Sequence, residues 1–238
     1  MTHITTMRST NQRHQQSRLT RKVGVVIALA VAGIAGGLWY RSVTRPWPYI
    51  QHRMLPNELP YLTRERLCQI LAPQAGERIL EVGPGTGVFS IPVAQCLAPG
   101  GTLEVFDIQQ VMLDHTLRVA AEQNVSNIVA THGDAQCLPY PDDTFDAAFM
   151  VTVLGEIGTS SNQEAALGEL RRVLKPGGRL VVGEFVIDWH GVRLGSLKRR
   201  ATRQGFSFER RVGYPISYFA RFSASDVDSA LIPETGAA

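Results

Sequence analysis

Short apolar runs alternate with segments of helical periodicity along residues 78–187, and this order constrains the fold more than any other feature of the sequence. We predict helices between the runs, at 86–97, 111–123 and 163–174, and strands at 78–82, 102–107, 128–132, 145–153 and 179–187. The strands are mainly apolar and do not alternate regularly with polar residues, which is typical of parallel strands covered by helices on both faces. A basic helix at 192–203 follows, and then two runs, 206–212 and 217–223, that predict a hairpin at the edge of the sheet. The expected fold class is α/β, with a doubly wound, mostly parallel sheet.

Glycines and two acids follow the first three predicted strands, where open α/β sheets bind their ligands. The first strand runs into Glu81-Val82-Gly83-Pro84-Gly85-Thr86-Gly87. A dinucleotide fingerprint would need glycine where Val88 stands, and the Gly-Lys-Ser/Thr of a phosphate-binding P-loop is absent. Asp107 is expected to accept hydrogen bonds from ribose hydroxyls, or to cap its strand. Asp134 is expected to accept a hydrogen bond from the exocyclic amine of adenine, or to be part of a turn without a ligand role.

Four segments resemble, in order, the motifs of class I S-adenosylmethionine-dependent methyltransferases, in particular the group of ubiquinone/menaquinone biosynthesis (type 11) methyltransferases. The segments are ILEVGPGTG (79–87), EVFDIQQVML (104–113), GDAQCLPYPDDTFD (133–146) and LRRVLKPGGRLVV (170–182). The resemblance covers roughly residues 60–224. It implies S-adenosylmethionine as the cofactor and a Rossmann-like, seven-stranded sheet with an antiparallel edge strand.

The resemblance also implies roles for individual residues. The methionine part of the cofactor would lie beside Glu81, Gly83, Pro84, Gly85, Thr86 and Gly87. The ribose would bind Asp107, and the adenine would lie against Ile108, Asp134 and Ala135. The sulfonium and the acceptor would be bordered by Val151 and Thr152. Many relatives have a Leu-His pair shortly after this strand, whereas here Leu154 is followed by Gly155 and Glu156.

The catalytic residues are less defined than the cofactor site. Methyl transfer from a sulfonium requires that the acceptor is aligned with the methyl group and that water is excluded. It requires a general base only when the accepting group carries a proton and has a high pKa. Candidates for such a base are Glu156, His190 and Tyr61, each of which could equally be structural. Three cysteines without metal-ligand spacing, Cys68, Cys96 and Cys137, predict no metal site.

Residues 23–40 are eighteen residues without a charge, flanked by arginines and ending in Trp39-Tyr40. As a helix this run would be about 27 Å long, enough to cross a bilayer core. We predict a transmembrane helix; a signal peptide and a buried helix are the alternatives. Gly33 and Gly37 form a G-x-x-x-G that could support a weak homodimer. Five cations before the run and three after it favour a cytoplasmic N-terminus, but a cytosolic cofactor requires the catalytic domain on the cytoplasmic side, which is the location we predict.

The predicted organisation has five parts: a disordered basic leader (1–22), the transmembrane helix (23–40), a linker (41–59), the methyltransferase domain (60–224) and a disordered tail (225–238). The net charge of +3 disfavours nucleic acid as a partner. Cations between Arg193 and Arg211 predict either a solvated face or contact with anionic lipid.

The function we predict is a membrane-tethered S-adenosylmethionine-dependent methyltransferase acting on a lipophilic small molecule or lipid, such as a quinone precursor, a lipid headgroup or an apolar thiol. The alternative is a non-catalytic S-adenosylmethionine-binding or scaffold protein with the same fold.

Overall fold

The computed structural model describes residues 61–187 and 190–225. The helices are α1 (Arg64–Leu71), α2 (Ser90–Leu97), α3 (Gln110–Glu122), α4 (Ser160–Val173) and α5 (Leu194–Arg203), with a 3₁₀ helix at Leu154–Ile157. The strands are β1 (Arg78–Val82), β2 (Thr102–Asp107), β3 (Ile128–His132), β4 (Phe145–Val151), β5 (Leu174–Phe185), β6 (Phe206–Tyr214) and β7 (Ser217–Ala224).

The strands form one seven-stranded sheet in the order β3-β2-β1-β4-β5-β7-β6. The first five strands are parallel, as predicted. β7 runs antiparallel to both β5 and β6. The predicted antiparallel pair at this edge is confirmed, but the reversed strand, β7, is the inner member and β6 is the edge strand. The direction of β6 therefore matches that of β5, and both end on the side where β1 and β4 end.

Side chains of successive strand residues enter two separate cores, one on each face of the sheet. Ile79, Val105 and Phe149 pack on the face covered by α1, α2 and α3. Leu80 and Met150 pack on the other face, with α4 and α5. All five side chains are fully buried. Burial on both faces explains why these strands are mainly apolar, and it confirms the doubly wound arrangement.

Several element boundaries differ from the prediction. Helix α2 begins at Ser90 instead of residue 86, because the glycine loop continues in turns as far as Phe89. Pro92 is then the third helical residue, where no intrahelical N–H bond is lost. The sequence did not predict α1 or the 3₁₀ helix. The pairing of β5 with β4 shifts register at residues 175–178, since Phe145 pairs with Leu174 and Ala147 pairs with Arg179.

The predicted leader, transmembrane helix and linker lie outside the described residues, as does the tail beyond Ser225. Ser225 itself, the first residue of the predicted tail, still donates its N–H to the Gly205 carbonyl at 2.9 Å. Across 61–187 and 190–225, no helix is both long enough and apolar enough to span a bilayer.

Candidate functional site

The loop after β1 depends on three glycines with positive φ: Gly83 at +74°, Gly85 at +56° and Gly87 at +78°. An L-residue in this region costs about 1–2 kcal/mol. A Cβ on Gly83 would also overlap the side chain of Val153, which follows β4. The Gly83 N–H donates to the Phe106 carbonyl at 2.8 Å, so the loop is held against both neighbouring strands.

The middle of this loop is open on one side. No heavy atom lies within 4 Å of the position that a Cβ on Gly85 would take. The turn is closed by the Gly87 N–H, which donates to the Pro84 carbonyl at 2.9 Å. From α3, the Thr116 hydroxyl donates to the Gly85 carbonyl at 3.3 Å. Pro84 is buried and Thr86 is half-buried, so a ligand approaching here would meet mainly loop backbone.

Glu81 is a buried carboxylate at the end of β1, only 2% exposed. Burial raises the pKa of the Glu81 carboxyl to about 8; the nearby Ser90 hydroxyl opposes this rise and the charge of Asp107 adds to it. Among the described residues, neither Oε2 of Glu81 nor Oγ of Ser90 has a hydrogen-bond partner. Two unpaired buried polar atoms beside an open glycine loop are unusual and indicate a place for a polar, preferably cationic, ligand.

Asp107 ends β2, and its charge contributes to the raised pKa of the Glu81 carboxyl. Oδ1 accepts the Gln109 N–H at 2.8 Å. Burial raises the pKa of this carboxyl above its ordinary value, and the backbone N–H groups of Gln109 and Ile108 oppose the rise. The Ile108 side chain is 49% exposed. Its carbonyl lies 2.9 Å from Nε2 of His132, which fixes the turn after β2. An exposed apolar side chain beside a carboxylate suits the edge of a nucleoside.

Asp134 and Ala135 follow β3. Asp134 is exposed, and its Oδ1 accepts the Gln136 N–H at 2.9 Å. The Gln136 side-chain amide donates to both carboxylate oxygens, at 3.1 and 3.0 Å. Ala135 is buried at 8% exposure. Asp134 therefore stabilises the turn after β3, which was the alternative to a ligand role. Its carboxylate still has lone pairs that could accept a hydrogen bond from a ligand.

Val151 and Thr152 end the fourth strand. Thr152 has φ +57°, which is rare for a β-branched residue. Its N–H donates to the Gly183 carbonyl at 2.8 Å, and its hydroxyl donates to the Val151 carbonyl at 2.7 Å. Backbone strain of this kind is concentrated at functional sites. The strained residue immediately precedes Val153, which contacts the glycine loop.

The sheet brings the cofactor residues predicted from the sequence to its carboxyl end. Val82 pairs with Phe106 on one side and with Met150 on the other, and Asp107 pairs with His132. The segments that follow β1, β2, β3 and β4 therefore lie side by side. One end of the sheet thus combines an open glycine loop, two interacting carboxylates and a strained strand end.

Residues 79–178 match the family model described as a methyltransferase domain. Over this stretch the chain is similar to class I S-adenosylmethionine-dependent methyltransferases. It is 34% identical over 159 residues to the ubiquinone/menaquinone biosynthesis C-methyltransferase UbiE of Saccharophagus degradans, covering 66% of this chain and 60% of that protein. It is 42% identical over 123 residues to the demethylmenaquinone methyltransferase of Tropheryma whipplei, covering 51% of this chain and 47% of that protein. The chain thus spans about half to three fifths of the length of these relatives.

Solved structures show the same fold for this methyltransferase domain. A methyltransferase from Aquifex aeolicus aligns with a TM-score of 0.66 at 18% identity, over 74% of this chain and 98% of that chain. The [4+2]-cyclase SpnF aligns with a TM-score of 0.59 at 20% identity, over 68% of this chain and 79% of that chain. Because a cyclase shares the fold, the architecture alone does not decide the reaction.

Two of the three candidate bases lie together in the described part of the chain. Nδ1 of His190 lies 3.2 Å from Oε1 of Glu156, and both side chains are largely buried. Nε2 of His190 is buried without a hydrogen-bond partner among the described residues. Gly155 permits this arrangement, since a Cβ there would overlap the His190 carbonyl. His190 reaches this position from the segment after β5.

Tyr61, the third candidate base, is not part of this pair. Its ring packs at a tilt of 53° against that of Tyr214, with centroids 4.3 Å apart. The neighbouring Tyr214 side chain raises the pKa of the Tyr61 hydroxyl, which makes it a poorer base near neutral pH.

Four residues that contribute to the site were not predicted from the sequence: Ser90, Thr116, Val153 and Gly155. Each acts through a contact with a residue distant in the chain, such as Thr116 with Gly85. A serine or threonine at an apolar helical position was the only signal available for the first two.

The residues present fit S-adenosylmethionine, the cofactor of this class. The open glycine loop offers backbone for the methionine part, and Asp107 offers a carboxylate for ribose hydroxyls. The two interacting carboxylates favour a ligand that carries positive charge. Within residues 61–187 and 190–225, no three His, Cys, Asp or Glu side chains are grouped so that they could hold a metal ion.

Proposed function

We propose that the protein is a methyltransferase that methylates a ring carbon of a lipophilic quinone precursor. The observation that carries the proposal is the two acids Glu81 and Asp107 beside an intact positive-φ glycine loop. A scaffold that binds no cofactor has no physical need for a partnerless buried Glu81 Oε2. The choice of a carbon acceptor is supported by the names of the relatives, which act on demethylmenaquinone or in ubiquinone and menaquinone biosynthesis.

Bound S-adenosylmethionine would supply an activated methyl group, and the protein residues would supply binding, orientation and proton transfer. Glu81 and the loop from Gly83 to Gly87 would hold the methionine part, and Asp107 would fix the ribose. Val151 and Thr152 would direct the acceptor, whose position decides the rate of in-line displacement.

A ring carbon is nucleophilic in a hydroquinone and electron-poor in a quinone, so we expect the reduced form as the substrate. Deprotonation of its hydroxyl would raise the nucleophilicity of the ring. We propose His190 as the proton acceptor at Nε2, with Glu156 orienting the ring through Nδ1. The proposal is supported by their 3.2 Å contact and by the partnerless Nε2.

We also propose that residues 23–40 anchor the chain in a membrane, with the catalytic domain on the cytoplasmic side. The support is the uncharged run of eighteen residues between arginines. A lipophilic acceptor would dissolve in the same membrane. An anchored site would therefore meet a higher local concentration of the acceptor.

Calorimetry with purified full-length protein tests the cofactor site. We expect Asp107→Ala to weaken S-adenosylmethionine binding tenfold or more, about 1.4 kcal/mol, because charge-assisted hydrogen bonds to ribose are lost. The matched control is Asp114→Ala, which removes an exposed carboxylate on α3. Equal affinities for the two variants would contradict the assignment of Asp107.

The reaction is tested with demethylmenaquinone reduced to its hydroquinone, following S-adenosylhomocysteine and the methylated product together. Formation of both supports the proposal. Tight S-adenosylmethionine binding without product from any hydroquinone would favour the non-catalytic alternative.

A further inference from the structure

An exposed apolar surface lies at the tip of the β6–β7 hairpin. Ile187, Tyr214 and Ile216 are 64%, 54% and 49% exposed. The surface is continuous, because the Val186 N–H donates to the Ile216 carbonyl at 2.7 Å and the Tyr214 ring packs against the Tyr61 ring. We call it the hairpin patch; it consists of Tyr61, Ile187, Tyr214, Pro215 and Ile216.

The hairpin does not need these side chains for folding. Tyr218, Phe219 and Phe222 of β7 are fully buried and hold the hairpin on the sheet. Eight large apolar residues are exposed in the described part of the chain, and four of them belong to the patch. Scattered exposed apolar residues are ordinary, whereas a contiguous group marks an interaction surface.

The patch lies at the carboxyl end of the sheet, where the candidate site lies. β5 and β6 run in the same direction as β1 and β4, so Ile187 and Tyr214 follow strand ends on that side. Tyr61 is the first described residue and follows the twenty residues 41–60. These could span at most about 66–72 Å from the apolar run that ends at residue 40. A bilayer that holds residues 23–40 is therefore within reach of the patch.

Arginines accompany the patch. The Arg66 guanidinium lies 5.0 Å from the centre of the Tyr61 ring. Arg210 and Arg211 precede Tyr214 on β6, and both are exposed. Within the described chain, Arg211 makes no ion pair. Tyrosines and arginines beside exposed aliphatic side chains match the interface of a bilayer that contains anionic lipid.

Other cations of the basic segment are used inside the domain. Arg200 donates to the Ser160 hydroxyl at 2.9 Å, and Arg203 pairs with Glu164 at 3.0 Å, so both bind α4. The Lys198 ammonium lies 3.8 Å from the centre of the Phe208 ring. These three cations therefore contact side chains within the domain, and the charge near the patch comes from β6 and α1.

We propose that the hairpin patch docks on the surface of a bilayer containing anionic phospholipid, with the carboxyl end of the sheet facing the membrane. The proposal rests on the proposed function, because it gives a lipid-borne acceptor a short route to the site. Ile187, Tyr214 and Ile216 enter the interfacial region, while Arg66, Arg210 and Arg211 lie at headgroup level.

Photocrosslinking of the full chain tests the docking directly. The protein carrying Ile216→p-benzoylphenylalanine is reconstituted in vesicles of phosphatidylcholine with phosphatidylglycerol, irradiated, and analysed by mass spectrometry for lipid adducts. The matched control is Val129→p-benzoylphenylalanine, because Val129 is 47% exposed on β3, the opposite edge strand. We expect several-fold more lipid adduct at residue 216 than at residue 129, and less in pure phosphatidylcholine. Equal yields, or adducts formed mainly with a second copy of the chain, would overturn the proposal.

An activity comparison separates this proposal from the proposed function. The double variant Ile187→Ser with Ile216→Ser should raise KM several-fold for a hydroquinone held in anionic vesicles, with kcat, melting temperature and the rate on a detergent-dispersed hydroquinone unchanged. An equal loss in vesicles and detergent would place the patch in the acceptor site and overturn the docking. If even the unaltered protein transfers no methyl group in either medium, the proposed function fails, and the crosslinks alone decide the docking.

Discussion

Glu81 sets the electrostatics of the cofactor site at the level of a single residue. Its pKa of about 8 means that the folded protein without ligand holds a proton there at neutral pH, whereas the unfolded chain, with an ordinary value near 4.5, has released it. The proton stabilises the fold below the unfolded pKa, and this stability is lost as the pH rises through the folded pKa. A cationic ligand would reverse the preference by favouring the carboxylate.

We expect Glu81→Gln to flatten this pH dependence. The melting temperature of the ligand-free protein should fall between pH 5 and pH 8.5 in the unaltered chain and fall less in the variant. S-adenosylmethionine affinity should rise over the same interval only when Glu81 is present. Glu122→Gln, at an exposed pair with Arg118, is the control. If the melting temperatures of all three proteins changed with pH in the same way, Glu81 would not titrate as described.

His190 provides the second prediction at this scale. His190→Gln removes the proton acceptor at Nε2, so kcat should fall about 100-fold or more, while the affinity for S-adenosylmethionine stays the same. His115→Gln, on α3, is the matched control. Glu156→Gln should lower kcat less, since it alters the orientation of the ring and leaves the acceptor in place. A loss of cofactor affinity in His190→Gln equal to its loss of kcat would indicate a structural role.

Much of the site could be predicted from the order of residues after the strands, because parallel strands bring their carboxyl ends together. Gly83 directly follows β1, Asp107 is the last residue of β2 and Asp134 is the second residue after β3, so their positions required no knowledge of packing. The contact of His190 with Glu156 could not be predicted in the same way. It depends on the path of the chain after β5 and on the absence of a side chain at Gly155.

At the scale of the element, the β6–β7 hairpin positions the segment that carries His190. The Tyr218 hydroxyl donates to the Val192 carbonyl at 2.6 Å, and the Val192 N–H donates to Oε2 of Glu184 at 3.1 Å. The segment is thus bonded to β7 on one side and to β5 on the other. The sequence predicted both hairpin strands from their apolar runs. It could not show that β7 inserts beside β5, because that order depends on which strand covers the exposed backbone of β5.

We expect Tyr218→Phe to lower stability by about 1–2 kcal/mol, since the buried Val192 carbonyl loses its donor. It should also lower kcat, because His190 is two residues away. Tyr140→Phe is the control: its hydroxyl is buried and meets no partner at hydrogen-bond geometry in the described chain, so its removal should be neutral or stabilising. Urea unfolding measures both changes. Similar losses of stability would show that the Val192 bond contributes little.

At the scale of the whole molecule, charge is separated along the chain. Residues 1–53 contain eight Lys and Arg and no acid, whereas the site at the carboxyl end of the sheet contains two interacting carboxylates. The first arrangement suits an anionic membrane surface and the second suits a cationic cofactor. Five cations precede residues 23–40 and three follow them. This small difference only weakly favours a cytoplasmic N-terminus, which would place the domain on the other side of the membrane from the one we propose. The need for a cytosolic cofactor is the stronger constraint on where the domain lies.

The anchor and the hairpin patch should respond differently to extraction. Alkaline carbonate removes proteins held by charge and shallow contacts, but leaves a spanning helix in the bilayer. We therefore expect washed membranes to retain the full chain and to release a chain lacking residues 1–40. Before the wash, the shortened chain should still bind anionic vesicles at low salt and dissociate at high salt, because arginines near the patch supply most of that attraction. Retention of the shortened chain after carbonate would show that residues 23–40 are not the anchor, and salt-independent binding would show that charge does not hold the patch on the membrane.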